Sequence, residues 1–397
     1  MALNTVSSDR LSTNVKNTNF TAAEKQDLTD DILPLAGQLG NRNLIINGAM
    51  QVAQYGQSYT GGGYATVDRF FVDYAGLDEA PTQAQVDVAS GTSPYTSGFR
   101  KAWKITNGNQ TSGAGAADLF YITQVIEAQN IAQSGWNYTS SSSNITLSFW
   151  IKSSVAQTFK GHLRADDGTQ QIYHFETGSL TADTWTKITK TIPGNSNIQI
   201  DNNNEMGLKL YFSYFTGTDY TNNSQSLNAW GAYSSASRFP DDTSTWYTTN
   251  DSTLEMTGLQ LEVGDSASDF AHESYGETLR KCHRYFYSAM NANGAGEYMG
   301  WGIYLGAGKM MSVWYMPQPM RTNATVSFPT GTNYYAIYRA DGSDQFNSLG
   351  SILGASKFAG NYFVNIEILS NVSSTGGYSG TISAGNNAVY VHFSAEL

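Results

Sequence analysis

Apolar and polar residues alternate with a period of two in a series of short runs between residue 41 and about residue 270. The runs are Arg69–Tyr74, Gln83–Ala89, Arg100–Thr106, Phe120–Glu127, Ile145–Ser153, Thr158–Ala165, Trp185–Ile192, Leu208–Phe215 and Leu254–Val263. Successive side chains of an extended strand point to opposite faces, so each run predicts a half-buried strand. Short strands punctuated by Gly, Asn, Ser and Asp predict an antiparallel β-sandwich. Within Ile145–Ser153, the residues Leu147, Phe149 and Ile151 share one face and Ser148, Trp150 and Lys152 the other. The first face predicts core, and the second is available as a binding surface. Asp167-Gly168 predicts a tight hairpin turn.

The period changes near residue 275. Leu259, Leu261 and Val263 alternate with Gln260 and Glu262 up to Gly264, whereas Tyr275–Tyr287 places Leu279, Cys282 and Phe286 on one helical face. A helix over Glu277–Tyr287 is expected, with Glu262, Arg280 and Arg284 setting the angle between two β domains. Further strands are predicted at Trp301–Leu305, Met310–Met316, Thr325–Phe328, Tyr334–Tyr338, Asn361–Ser370 and Ala388–Phe393. Residues 1–40 lack this patterning and read as an arm, in which Thr21–Glu24 has the form of a capping box opening a short helix. The expected organisation is therefore an arm at 1–40, a mainly β sandwich at 41–273, and a smaller β domain with one helix at 274–397.

Residues 216–252 break the rhythm, with a short strand expected at Thr245–Thr248. Long irregular segments inside a domain are often functional. Tyr220, Trp230, Tyr233 and Trp246 are its candidate ligand contacts, because sugar rings stack on flat aromatic faces while Asn and Asp groups bind hydroxyls. Anchoring of the loop is the competing role for these rings. Trp136, Trp150 and Trp185 read as core or rim residues.

Composition narrows the function classes. Only 14% of residues are charged, against roughly 25% in ordinary globular proteins, and the formal net charge is −11. An acidic chain without clustered Lys and Arg argues against nucleic acid as a partner. The one cysteine, Cys282, excludes an intrachain disulfide and reads as a buried structural thiol. Neither a secretory leader nor an apolar span is read, so a soluble protein made in the cytoplasm is expected. His162, His174, His272, His283 and His392 are scattered without metal-ligand spacing, and no nucleophile motif is present. Asp241 and Glu255 are the carboxylates that could flank a glycosidic bond, and the expectation is a non-enzyme. Asp201–Glu205 offers oxygens at alternating positions, but Met206 replaces the glycine a calcium loop requires, so a solvated turn is expected.

Three segments carry a family resemblance. The strand Leu259–Gly264 followed by Ser274–Tyr287 (SYGETLRKCHRYFY), the opening Asn41–Gly56 with Thr66–Tyr74, and Met316–Phe328 (MPQPMRTNATVSF) together resemble tail-fibre and virion-appendage proteins of tailed bacteriophages. Asn144–Ser154 and Asp183–Gly194 resemble the central strands of carbohydrate-binding jelly rolls. The resemblance implies a homotrimeric virion structural protein, docked on other virion proteins through residues 1–40 and attaching to host-surface glycan. A capsid-bound fibre or decoration protein is the alternative it implies, and a glycan-depolymerising spike has the weakest support. It also allows a structural calcium, to which no residue is assigned.

Overall fold

The computed structural model describes residues 42–397 apart from 222–225, 293, 307–308, 332–333, 341–344, 350–354, 360, 362, 370–375 and 387. The arm at 1–40 with its capping box lies outside the described residues. From there the chain is mainly β. In order it forms β1 (Ser58–Thr60), β2 (Phe71–Ala75), β3 (Thr82–Asp87), α1 (Ser93–Thr96), β4 (Lys101–Thr106), β5 (Leu119–Glu127), α2 (Ala128–Ala132), β6 (Asn144–Ser153), β7 (Thr158–Ala165), β8 (Gln171–Ser179), β9 (Thr186–Pro193), β10 (Met206–Thr216), β11 (Trp230–Ala232) and β12 (Thr253–Val263). These strands make two six-stranded sheets, a front sheet in the order β1-β3-β4-β12-β6-β9 and a back sheet in the order β11-β8-β7-β10-β5-β2. The named pairs are antiparallel, and the chain crosses repeatedly between the sheets, the layout of a jelly-roll sandwich.

The alternation dictates what fills the space between them. Leu147, Phe149 and Ile151 from β6 meet Leu163, Phe175, Leu210 and Phe212 from the back sheet in one continuous core. The Phe149 and Phe212 rings lie 4.9 Å apart, edge to face. Trp136 is buried, with its indole N–H donated to the Ser143 carbonyl at 3.1 Å.

Two local expectations are corrected. The β7–β8 connection carries Gly168 in the left-handed region, φ 61°, but the strands close at Ala165 and Gln171, so the turn is a five-residue loop. Thr245–Thr248 is a helical turn: the Thr248 amide and hydroxyl both donate to the Ser244 carbonyl, and the Thr249 hydroxyl to the Thr245 carbonyl. Hydroxyl groups that bond to the carbonyl four residues back favour a turn over a ladder.

The remainder comprises α3 (Tyr275–Cys282), β13 (Phe286–Asn291), β14 (Tyr298–Gly306), β15 (Lys309–Tyr315), β16 (Thr325–Ser327), β17 (Tyr335–Arg339), β18 (Gln345–Leu349), β19 (Ala355–Ala359), β20 (Phe363–Leu369), β21 (Ser379–Ala384) and β22 (Tyr390–Ser394). They form a three-stranded sheet, β13-β22-β16, and a seven-stranded sheet, β18-β17-β21-β14-β15-β20-β19. Ser274 caps α3 by accepting the Glu277 amide at 3.2 Å, with Glu277 in the first turn and Arg280 and Lys281 in the last, as the helix dipole favours. The helix is shorter than Glu277–Tyr287. Phe286 and Tyr287 pair with Ser394 and Phe393 on β22, where aromatic side chains suit a pleated surface. Cys282 is buried, as a structural thiol would be, and burial pushes its pKa up.

A buried polar network fastens these later elements to the sandwich. Arg284 donates to both oxygens of Glu127 at 2.6 and 2.7 Å, Gln129 adds a third bond, and the Tyr285 hydroxyl a fourth. Burial works against the Glu127 carboxylate, but the bonds from Arg284 and Tyr285 outweigh it and hold its pKa below the usual range. Arg69, fully buried, pairs with Glu396 and lies 3.4 Å over the Tyr285 ring. Beside it Asp68 accepts the Gln54 amide and side chain, and burial pushes its pKa up to about 7. Of the residues expected to set this junction, Arg284 does so. Arg280 instead pairs on the surface with Glu277 and Gln318, and Glu262 acts elsewhere.

Candidate functional site

On the outer side of the front sheet is a cleft of about 480 Å³. Its floor is Ser148 and Trp150 of β6, with Lys187 of β9, which stands opposite Trp150 in the ladder. One wall is the turn Thr96–Phe99 after α1, and the other is Ser268–Phe270 with His272. Trp150 packs with Trp185 and Phe270 around a small satellite core of Ala49, Val88, Phe99 and Ala102. The Phe99, Phe270 and His272 rings form a mutual cluster, with centroids 4.8, 5.0 and 4.9 Å apart.

The walls stand where they do because of a bulge in β12. Its register against β6 slips between Thr257 and Gln260, so that Gly258 and Leu259 together face Phe149. Gly258 has φ 66°, and a Cβ there would lie 2.7 Å from the Phe99 ring, so glycine lets Phe99 close over the sheet. Gly98, at φ 97°, likewise admits the His272 ring, whose Nε2–H donates to the Ser97 carbonyl at 2.9 Å. The opposite wall hangs on buried polar groups of β12. The Ala271 amide donates to Gln260 Oε1 at 2.7 Å, and Gln260 Nε2 and the Ser268 amide both donate to Glu262 Oε1, at 2.8 and 2.9 Å. Glu262 therefore positions a cleft wall within the sandwich, which corrects its expected place at the junction.

The arrangement offers an indole floor ringed by hydroxyls, an exposed carboxylate at Asp269 and an exposed ammonium at Lys187. Such a surface stacks a flat, partly apolar ring and hydrogen-bonds its polar rim. Next to it Lys152 lies 5.2 Å from the Trp185 ring and 2.9 Å from Glu255. Thus the polar face of β6 read from the sequence does line a recess.

The four aromatics read from the irregular segment do not converge. Trp246 is completely buried: its amide is bonded to Gln157 Oε1, its indole N–H to the Thr253 carbonyl, and its ring lies 5.0 Å from Tyr214. It cannot touch a ligand, because the helical turn at 244–249 drives it into the core. Trp230 is half-buried on β11, packed on Tyr173 at 5.5 Å with its N–H donated to Pro193. Tyr233 lies under the Arg164 guanidinium at 4.5 Å and Tyr220 under that of Arg238 at 4.8 Å. These three sit by the back sheet or its edge, away from the cleft.

The segment also buries a histidine pair that spacing did not reveal. His162 and His174 stand opposite each other on β7 and β8, rings 5.5 Å apart, with Phe239 over His162 at 4.5 Å. Burial pushes the pKa of His162 well down, so it is neutral here. Asp241 bonds Thr221 in this back-sheet segment and Glu255 bonds Lys152 on the front sheet, so the core separates the two carboxylates. Among the described residues no cluster of three or more His, Cys, Asp or Glu side chains is placed to hold a metal. In the Asp201–Glu205 turn, Asn203 Oδ1 accepts the Glu205 amide, and Arg321 bonds the Asn204 carbonyl and faces Glu205 at 3.6 Å. Those oxygens tie the turn down and do not converge on a cation. No described helix is long and apolar enough to cross a membrane.

No protein-family model and no curated protein matches this chain. Solved structures with a similar strand layout include the enzymatically active domain of bacteriophage CBA120 tailspike protein 4, at 10% identity and TM-score 0.29, covering 56% of this chain and 21% of that one. A family 11 carbohydrate-binding module from Clostridium thermocellum, solved with a mixed-linked β-1,3-1,4 tetrasaccharide, matches at 10% identity and TM-score 0.24, covering 52% and 95%. An apo cyclase from Fischerella sp. matches at 8% identity and TM-score 0.28, covering 58% and 96%. The chain spans about a fifth of the length of that tailspike domain. At these scores no residue role or activity transfers to this chain.

Proposed function

We propose that this protein is a non-enzymatic virion appendage of a tailed bacteriophage that attaches to host-surface glycan, with the Trp150 cleft as its glycan contact. The cleft carries the reading: an aromatic floor between polar walls, built on the two strands whose sequences resemble the central strands of carbohydrate-binding jelly rolls. Stacking on Trp150 would supply most of the contact, and Lys187, Asp269 and Ser268 would select hydroxyl positions. The segments around 41–74, 259–287 and 316–328 support the appendage role, in which residues 1–40 dock on other virion proteins and the chain works as a homotrimer. Several weak sites on one particle then bind with avidity.

The test is calorimetric titration of the full-length protein with fragments of the host's surface polysaccharides. Trp150→Ala should weaken binding at least tenfold with unchanged circular dichroism, whereas Tyr233→Ala should change it little. Equal binding by wild type and Trp150→Ala would remove the cleft from the proposal. Release of reducing ends from the same polysaccharides would overturn the non-enzymatic part. Antibody labelling of virions in the electron microscope separates a tail from a capsid position.

A further inference from the structure

Among the described residues, the outer face of the seven-stranded sheet carries a row of exposed large apolar side chains. From Trp301 along β14, and along β15, the burial alternates, with Tyr304, Met310 and Trp314 turned into the core. The opposite positions, which reach solvent, are also mostly apolar, Lys309 at the start of β15 being charged. Trp301 is 69% exposed, Leu305 52%, Ile303 44%, Val313 39%, Tyr315 73% and, on β20, Phe363 40%. They are neighbours in the ladder. Ile303 stands opposite Met311, Tyr315 opposite Phe363, and the two rings lie 6.4 Å apart.

We infer that this face is covered by the same face of a second copy of this chain, sheet against sheet. Area is the first argument. With aromatic side chains carrying roughly 150–250 Å² each, Trp301, Tyr315 and Phe363 alone present roughly 270–450 Å² to solvent. The three aliphatic residues take the patch past about 500 Å², at the upper end of what a monomer shows, and toward the roughly 800 Å² per partner of a stable interface once its polar border is included. Shape is the second argument. A pleated sheet presents rows of side chains about 4.8 Å apart, and another sheet with the same spacing fits those rows at an aligned packing angle, leaving a layer about 10 Å thick. An identical face meets that condition without a separately matched partner, and like surfaces pair across a symmetry axis.

A pairing of like faces is two-fold, so it is additional to the homotrimer of the proposed function, and its test is independent of glycan binding. Sedimentation velocity of the full-length protein, from micromolar to tens of micromolar, should give an even multiple of the single-chain mass. Trp301→Glu combined with Tyr315→Glu should weaken this pairing more than a hundredfold and halve the assembled mass, with glycan titration of the cleft unchanged. A wild type that stays at one chain or at three chains at the highest concentration overturns the inference, as does a double variant that assembles like wild type. Should the double variant fail to fold, Ser379→Cys decides. Ser379 is exposed opposite Ile303 on this face and the native Cys282 is buried, so a bismaleimide should join two chains through it, and the absence of that product overturns the inference.

Discussion

The outer faces of the front sheet and of the seven-stranded sheet begin from the same pleated geometry and end as opposite surfaces. On the front sheet the bulge at Gly258 and the walls at 96–99 and 268–272 recess a single indole, Trp150, among polar groups. On the seven-stranded sheet nothing described rises above the strands, and Trp301, Ile303, Val313 and Tyr315 stand in an open row. A recess surrounds a small ligand and excludes water from it, whereas a flat apolar row gains burial only against another flat surface. The same residue type therefore serves two purposes, depending on whether the surrounding chain rises around it.

The largest test of this contrast opens the sandwich core beneath the cleft, which is separate from the core under the seven-stranded sheet. Trp246→Ala should cost ~3–5 kcal/mol in denaturant unfolding, the range for deleting a buried aromatic, and should lower binding only as far as it unfolds the protein. Next is the pH dependence of the junction. The Asp68 pKa is raised from 3.8 to about 7 in the fold. Between those values the folded chain keeps a proton that the unfolded chain has lost, so stability should fall as pH rises through that window, by on the order of 4 kcal/mol. Glu127 has the opposite sign, since its depressed pKa stabilises the fold at neutral pH and that contribution is lost in acid. Asp68→Asn should flatten the slope between pH 4 and 7, and an unchanged slope would assign it to other groups.

Arg284→Ala leaves the Glu127 carboxylate buried without its main partner and should cost about 3 kcal/mol. Its informative readout is whether the thermal transition splits in two, which would show the sandwich and the later sheets melting apart. Trp150→Ala and Trp301→Glu form a crossed pair. The first should reduce glycan affinity roughly tenfold, about 1.4 kcal/mol, and leave assembly mass alone; the second should do the reverse. A single variant that moves both readouts would break the contrast. The smallest effect belongs to Lys101→Ala, which removes an exposed pair with Asp87 and should change stability by less than about 0.5 kcal/mol.

Much of the sandwich was legible because one face of each strand met solvent. The run Leu147, Phe149, Ile151 against Ser148, Trp150, Lys152 announced both the core and the cleft floor. β8 was not legible, because Ile172 and His174 on its outer side are buried, and the alternation that marks a half-buried strand is lost. The first two residues of β13, Phe286 and Tyr287, read as helix because Leu279, Cys282 and Phe286 share a helical spacing by coincidence; pairing with β22, far along the chain, decides that segment. The aromatics of the irregular segment showed composition but not direction, so Trp246 seemed as available as Tyr233.

The sequence by itself determined that the chain is mainly β, and it determined which side of most strands is apolar, because the two-residue period is a property of the extended backbone. Only the tertiary structure decided what lies over the remaining sides. The cleft walls come from segments about 170 residues apart, and the row on the seven-stranded sheet is open because no described segment crosses it. Covering a face is a contact between distant parts of the chain, and local alternation carries no information about it.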